Sequence, residues 1–358
     1  MRNKNDLKKY ALEYLKTYLS INSFVGCPIG CTYCFLSPLG ISPSEPVRVI
    51  GEPELVKDLK SSKYFVPHQT ILSLNNRTDP FLPGLVKEST FKILELLNKE
   101  GFRNPTTITT KLYLSKEDIE KLNSLINLNI FIIVTYSGLP KEIEPVDHDL
   151  QIKTMKNIHK YGKKIHLFHQ FRPIIQDYND SMNTIKKVLS EVYKYADCTI
   201  FAGLRLSEFI NERFMEKQIN LKMQLSPEHK YIPEQFVKNI LSLCSEKFPN
   251  YPIFRHTSCA LSWISRLPDF NAHWTKNQCE NCLNRVDCLN KIEVPSEAHV
   301  SELLKKLNLS NEFNINKGEI EIRGELTQED RSFLRHNLRF PVKSEKLKKT
   351  PSEQIMTK

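Results

Sequence analysis

Gly26-Cys27-Pro28-Ile29-Gly30-Cys31-Thr32-Tyr33-Cys34 sets three cysteines in a C-x3-C-x2-C spacing. It directly follows Ile21–Val25, a short β-rich run that reads as the first strand of the fold. Thiolates are the usual ligands of iron–sulfur clusters, and three of them leave one iron of a four-iron cubane open. An open coordination position is what a catalytic metal centre needs. Gly26 and Gly30 let the loop turn tightly and bring backbone amides toward the sulfides. Structural zinc is the competing reading, but it needs a fourth ligand, and no nearby Cys or His offers one.

Beyond this loop, strand and helix signals alternate. Further β-rich runs lie at Thr70–Asn75, Thr106–Thr110, Ile130–Tyr136, Ile165–Phe171 and Thr199–Ala202. Helical patterns separate them. Thr90–Lys99 ends before Gly101, a glycine placed to cap it. Ser115 opens an S-x-x-D capping signal, followed by Ile119, Leu122 and Ile126 on one face. Ile152, Met155 and Ile158 form a stripe closed by Gly162, and Ile185, Val188, Leu189 and Val192 repeat at helical spacing. Six strand–helix units in series imply an α/β fold, a partial (β/α)6 TIM-like barrel with its helices outside. In such barrels ligands sit at the C-terminal ends of the strands, where the cysteine loop falls.

The bulk properties fit a globular enzyme. The chain has 358 residues, 40% hydrophobic and 26% charged. No apolar run is long enough to span a bilayer, and Met1 to Lys16 lacks the apolar core of a signal peptide, so the expected location is the cytoplasm with no membrane partner. The net charge of +10 favours anionic partners such as nucleic acid, phosphorylated ligands or an acidic peptide, although solvated lysine-rich helix faces account for such an excess equally well. The 9 cysteines, in a reducing compartment, point to metal rather than disulfides.

Past about Pro252 the texture changes. Cys279-Glu280-Asn281-Cys282 and then Cys288 give C-x2-C-x5-C, with Cys259 upstream. Four thiolates close a second iron–sulfur cluster completely, and zinc is the alternative occupant. His256 is a conceivable substitute ligand or a core histidine. Trp263 and Trp274 line a substrate cleft or cover the cluster. Cys198, at a strand start, and Cys244, in an apolar helix stripe, read as core residues. Ser296–Leu307 reads as a helix and Glu319–Arg323 as a strand, while Lys343 to Lys358 is polar, basic and expected to be disordered.

The C-x3-C-x2-C loop, with Tyr33 before its last cysteine, resembles the signature of the radical S-adenosylmethionine superfamily. Thr78-Asp79-Pro80, Thr110-Lys111, Glu144-Pro145 and Arg172-Pro173-Ile174-Ile175 follow successive strands in an order similar to its spore photoproduct lyase-like branch. The resemblance covers roughly Ser20 to Gly203. It implies a 4Fe-4S cluster on Cys27, Cys31 and Cys34, whose open iron binds S-adenosylmethionine. A reductant such as flavodoxin or ferredoxin supplies the electron, and a 5′-deoxyadenosyl radical abstracts hydrogen from substrate. It also implies that Tyr33 lies against the adenine and that Lys111 pairs with the carboxylate of S-adenosylmethionine. By the same resemblance, Asn75 and Asn76 stand near the amino group, Ser137 near the ribose, and Arg172 contacts a carboxylate or the substrate. The C-x2-C-x5-C group resembles the auxiliary-cluster domains of radical enzymes, without their usual upstream glycine-containing cysteine motif. One departure stands out: Asn75-Asn76-Arg77 occupies the place where spore photoproduct lyases carry a hydrogen-donating cysteine.

The expected organisation is therefore an N-terminal helix over 1–19, the barrel over 20–215, an extension with the second metal site over 216–292, and a small C-terminal segment with a basic tail over 293–358. The expected function is radical chemistry on a nucleic acid, nucleotide or peptide. An iron–sulfur nucleic-acid-binding or sensor protein without turnover is the alternative.

Overall fold

The computed structural model describes residues 4–41, 44–226, 230–276 and 279–348. Eight strands form one open sheet in the spatial order of the chain: β1 (Leu12–Tyr14), β2 (Leu19–Ile21), β3 (Leu72–Leu74), β4 (Pro105–Thr110), β5 (Asn129–Thr135), β6 (Ile165–Ile174), β7 (Cys198–Gly203) and β8 (Ile253–Phe254). β1 pairs antiparallel with β2, and every later neighbour is parallel. This is the partial TIM-like barrel expected from the strand–helix alternation. Its strands read as continuous apolar runs because both faces are covered; all six residues of β7 are buried.

The crossovers behave as their sequences dictate. α1 (Glu52–Ser61), α2 (Leu85–Lys99), α3 (Lys116–Asn123), α4 (His148–Tyr161) and α5 (Met182–Val192) connect successive strands. Ser115 forms the expected capping box with Asp118, each side chain taking the other's backbone N–H. Ile185, Val188, Leu189 and Val192 of α5 are all buried. The parallel sheet continues past residue 215. After α6 (Glu208–Glu216) and α7 (Glu234–Lys247), β8 adds a seventh parallel strand by pairing Ile253 with Thr199.

Four expectations change. The helix over 1–19 shrinks to Lys4–Leu7 and a 3-10 turn, because Leu12–Tyr14 turns back to pair with β2. The first barrel strand ends at Ile21, and Phe24–Val25 peels away to pair with Val47–Arg48. Lys343–Lys348, expected to be disordered, instead belongs to a strand, β11 (Val342–Lys348). It lies parallel to β10 (Ile320–Thr327), which also pairs with β9 (Phe313–Ile315). Val342 is fully buried and anchors this otherwise polar segment. The remaining tail, 349–358, lies outside the described residues. Finally, Ile126 of the expected α3 face is exposed at 69%, since the helix stops at Asn123.

His169 of β6 is fully buried. Its Nδ1 pairs with Thr199 Oγ1 at 2.9 Å and its Nε2 with the Tyr136 carbonyl at 2.9 Å. Burial lowers its pKa from 6.5 to about 4. Its contribution is therefore fully present above pH 6.5 and is lost as pH falls toward 4, because the unfolded state binds the proton first. A gap of this size is on the order of 3 kcal/mol. Thermal melts between pH 7 and pH 4.5 are expected to show a steep loss of stability that is shallower in His169→Asn. Equal slopes would show that His169 does not contribute.

Candidate metal centre at the barrel mouth

The cysteine loop begins where Phe24–Val25 leaves the sheet. Gly26 has φ +106°, and its N–H bonds the Arg77 carbonyl at 2.8 Å. Gly30, at φ +80°, sits in a conformation that L side chains rarely adopt. The Cys34 N–H closes a turn on the Cys31 carbonyl at 3.1 Å. Arg213 of α6 donates to the Cys31 carbonyl at 3.1 Å and the Cys34 carbonyl at 3.4 Å. Thr32 ties the loop to the segment ahead of Glu144 through the Ile143 carbonyl, at 2.9 Å. A local sequence motif is thus held by three distant segments.

Three titratable side chains gather beside it. Tyr33 Oη and Lys111 Nζ both donate to Glu144 Oε2, the lysine at 3.1 Å. The Lys111 ammonium lies 5.5 Å from the Tyr33 ring centroid. Glu144 is fully buried, and burial pushes its carboxyl up to about 8. Its Oε1 has no hydrogen-bond partner among the described residues. Asp79 explains the Thr78-Asp79-Pro80 motif. Its Oδ1 accepts from Thr110 Oγ1 at 2.8 Å and its Oδ2 from the Lys111 N–H at 2.8 Å, so it sets where Lys111 leaves β4.

The other expected positions divide. Asn75 is fully buried at φ +44°. Its Oδ1 accepts from the Ser23 N–H at 3.0 Å and its Nδ2 donates to Thr90 at 2.8 Å, so its amide braces the strand ends. Asn76 is half-buried, and its Oδ1 accepts from Ser20 Oγ at 2.6 Å. Ser137 is buried, and its Oγ accepts from the Leu139 N–H at 3.2 Å. Arg172 ends the run on β6; burial and the neighbouring Arg205 charge lower its pKa. Lys230 reaches solvent although protein surrounds it, and that enclosure, then the Arg172, Arg205 and Lys16 charges, holds it well below its usual value. Glu144, Asp79, Arg213, Arg205 and Lys230 were not singled out as site residues in the sequence; only the strand-end positions of Asp79 and Glu144 hinted at them.

The donor set suits a thiolate-ligated cluster. Burial pushes the Cys27 and Cys31 thiols up to about 12, so a metal must displace their protons. Among the described residues, the one trio of metal-binding side chains within 4.8 Å of one another is Cys259, Asp269 and His273.

The second group also converges. Cys259 in α8 (Thr257–Ile264) shares one cavity with Cys279, Cys282 and Cys288, walled by Trp263 and Trp274. His256 caps the start of α8, and its ring stacks on His273 at 3.8 Å. Cys198 and Cys244 are fully buried in apolar clusters.

No family model and no curated protein matches the chain. Solved structures do. A cysteine-to-serine mutant of spore photoproduct lyase is 14% identical with a TM-score of 0.51, over 68% of this chain and 78% of that one. This chain has a radical S-adenosylmethionine fold of the spore photoproduct lyase type. A double mutant of the lyase with bound AdoMet and dinucleoside spore photoproduct is 13% identical, with a TM-score of 0.52 over the same 68% and 78%. A weaker likeness, TM-score 0.44 and 18% identity over 68% of this chain and 65% of the other, is to native anSMEcpe with bound AdoMet and a peptide. No helix among the described residues is long and apolar enough to cross a membrane.

Proposed function

We propose that this chain is a radical S-adenosylmethionine enzyme, carried by one observation: a three-cysteine loop at the barrel mouth, backed by the buried Tyr33–Glu144–Lys111 cluster. Cys27, Cys31 and Cys34 hold a 4Fe-4S cluster and leave one iron for AdoMet. When bound, these groups supply hydrogen abstraction by a 5′-deoxyadenosyl radical, after reduction by a flavodoxin- or ferredoxin-like partner. Lys111 and Arg172 bring positive charge to the mouth for the AdoMet carboxylate. Tyr33 offers a ring face already fixed through its hydroxyl to Glu144. The apolar shell around β7 and the cysteine loop keeps water from a reactive site.

The guanidinium charges of Arg172 and Arg205, close enough to bear on one another, favour an anionic substrate, a nucleic acid or nucleotide, over a neutral peptide. Cys259, Cys279, Cys282 and Cys288 hold a second metal site, an iron–sulfur cluster. The four thiols' shared cavity supports this.

The deciding experiment is anaerobic. Reconstituted protein, reduced with dithionite in the presence of AdoMet, is expected to form 5′-deoxyadenosine. An intact, reducible cluster that forms none would leave the sensor reading and overturn the enzyme.

A further inference from the structure

Asp269 is 2% exposed and lines the same cavity as the four cysteines. Its Oδ2 is well satisfied: it accepts from the His273 N–H at 2.9 Å and pairs with His273 Nδ1 at 2.8 Å. Its Oδ1 is buried with no hydrogen-bond partner among the described residues. Arg339, the guanidinium nearest in kind, donates instead to the Pro268 carbonyl at 2.8 Å and to Ser262 Oγ at 3.3 Å. A buried carboxylate oxygen without a partner costs several kcal/mol, roughly, and native proteins keep one only where something else satisfies it.

Cation binding removes this penalty. Cys259 Sγ, an Asp269 oxygen and a His273 nitrogen lie within 4.8 Å of one another, so thiol and carboxylate face one point. His273 is itself fixed, between Asp269 and the parallel face of His256 at 3.8 Å and 5°. A histidine that clamps one carboxylate oxygen leaves the other aimed, as outer partners do around metals.

We infer that Asp269 is an oxygen ligand of the second metal site, beside Cys259, with Cys279, Cys282 and Cys288 as its other donors. This rests on the metal reading of that cysteine group. His273 is a positioning residue that orients Asp269. A mixed thiolate–carboxylate corner gives one iron a harder, more exchangeable ligand than a fourth thiolate.

The test counts iron and zinc per full-length chain after anaerobic reconstitution and records the electron paramagnetic resonance of the reduced protein. Circular dichroism confirms folding. Wild type is expected to bind about eight irons, and Cys282→Ala about four. Cys259→Ala is expected to keep most of the second complement with an altered spectrum, because Asp269 holds the corner. Asp269→Asn is expected to keep its iron but shift the spectrum, and His273→Gln to shift it in the same direction. The double variant Cys259→Ala/Asp269→Asn is expected to fall to the Cys282→Ala level. Cys259→Ala losing as much iron as Cys282→Ala, or an Asp269→Asn spectrum identical to wild type, would overturn the inference. Full metal retention in Cys282→Ala would instead overturn the metal reading beneath it.

Discussion

Cys31→Ala is expected to abolish 5′-deoxyadenosine formation and to lower bound iron from about eight to about four per chain. Cys31 is the buried centre of the loop, with Lys111 and Glu144 the charges nearest its thiol. A cluster held by only two loop thiolates has no remaining neighbour to replace the third, since no other cysteine lies in this part of the chain. Burial makes the loss local: alanine fits where the thiol stood, and the loop stays tied through the Cys31 backbone carbonyl to Arg213. Liquid chromatography of quenched anaerobic reactions, with iron analysis alongside, measures both. Turnover persisting in Cys31→Ala would sink the assignment of the loop.

Glu13→Ala is expected to destabilise the protein by about 3–5 kcal/mol, the cost of leaving a buried charge unpaired. Arg77 is 3% exposed and Glu13 11%. Arg77 Nε donates to Glu13 Oε2 at 2.8 Å and Nη2 to Oε1 at 3.0 Å, a bidentate pair. The guanidinium also lies 5.5 Å from the Tyr10 ring centroid and 5.7 Å from that of Phe35. Because the Arg77 carbonyl receives the Gly26 N–H, the same variant is expected to loosen the cysteine loop and slow cluster loading. Urea unfolding measures the first effect. The double variant Glu13→Leu/Arg77→Met is expected to recover part of it, since apolar replacements remove the unpaired charge. A Glu13→Ala midpoint within about 1 kcal/mol of wild type would show the pair to be energetically idle. Asn75-Asn76-Arg77 stands where the resemblance puts the lyases' hydrogen-donating cysteine, and Arg77 is paired there with Glu13.

The barrel was legible because its signals are local. Strands β4, β5 and β7 fall within one residue of their expected bounds and β6 begins where expected, and Ser115 and Gly162 mark helix ends by their own chemistry. Elements that depend on a partner were not. Leu12–Tyr14 becomes a strand only because β2 lies beside it, and Val342–Lys348 only because β10 offers an unpaired edge. The first is only three residues long and the second is filled mostly by exposed polar residues, so neither leaves a periodic apolar pattern to be read.

The site divides in the same way. Cys27, Cys31, Cys34 and Tyr33 are close in sequence, and their spacing alone determines that three thiols and a ring share one loop. Tertiary structure decided what surrounds them. Glu144 reaches Tyr33 across |i−j| = 111 and Lys111 across 33. Asp269 faces Cys259 only after the chain has folded back through His273. Charges and orphaned oxygens act over a few ångströms, and only folding brings residues so far apart in the chain to that distance.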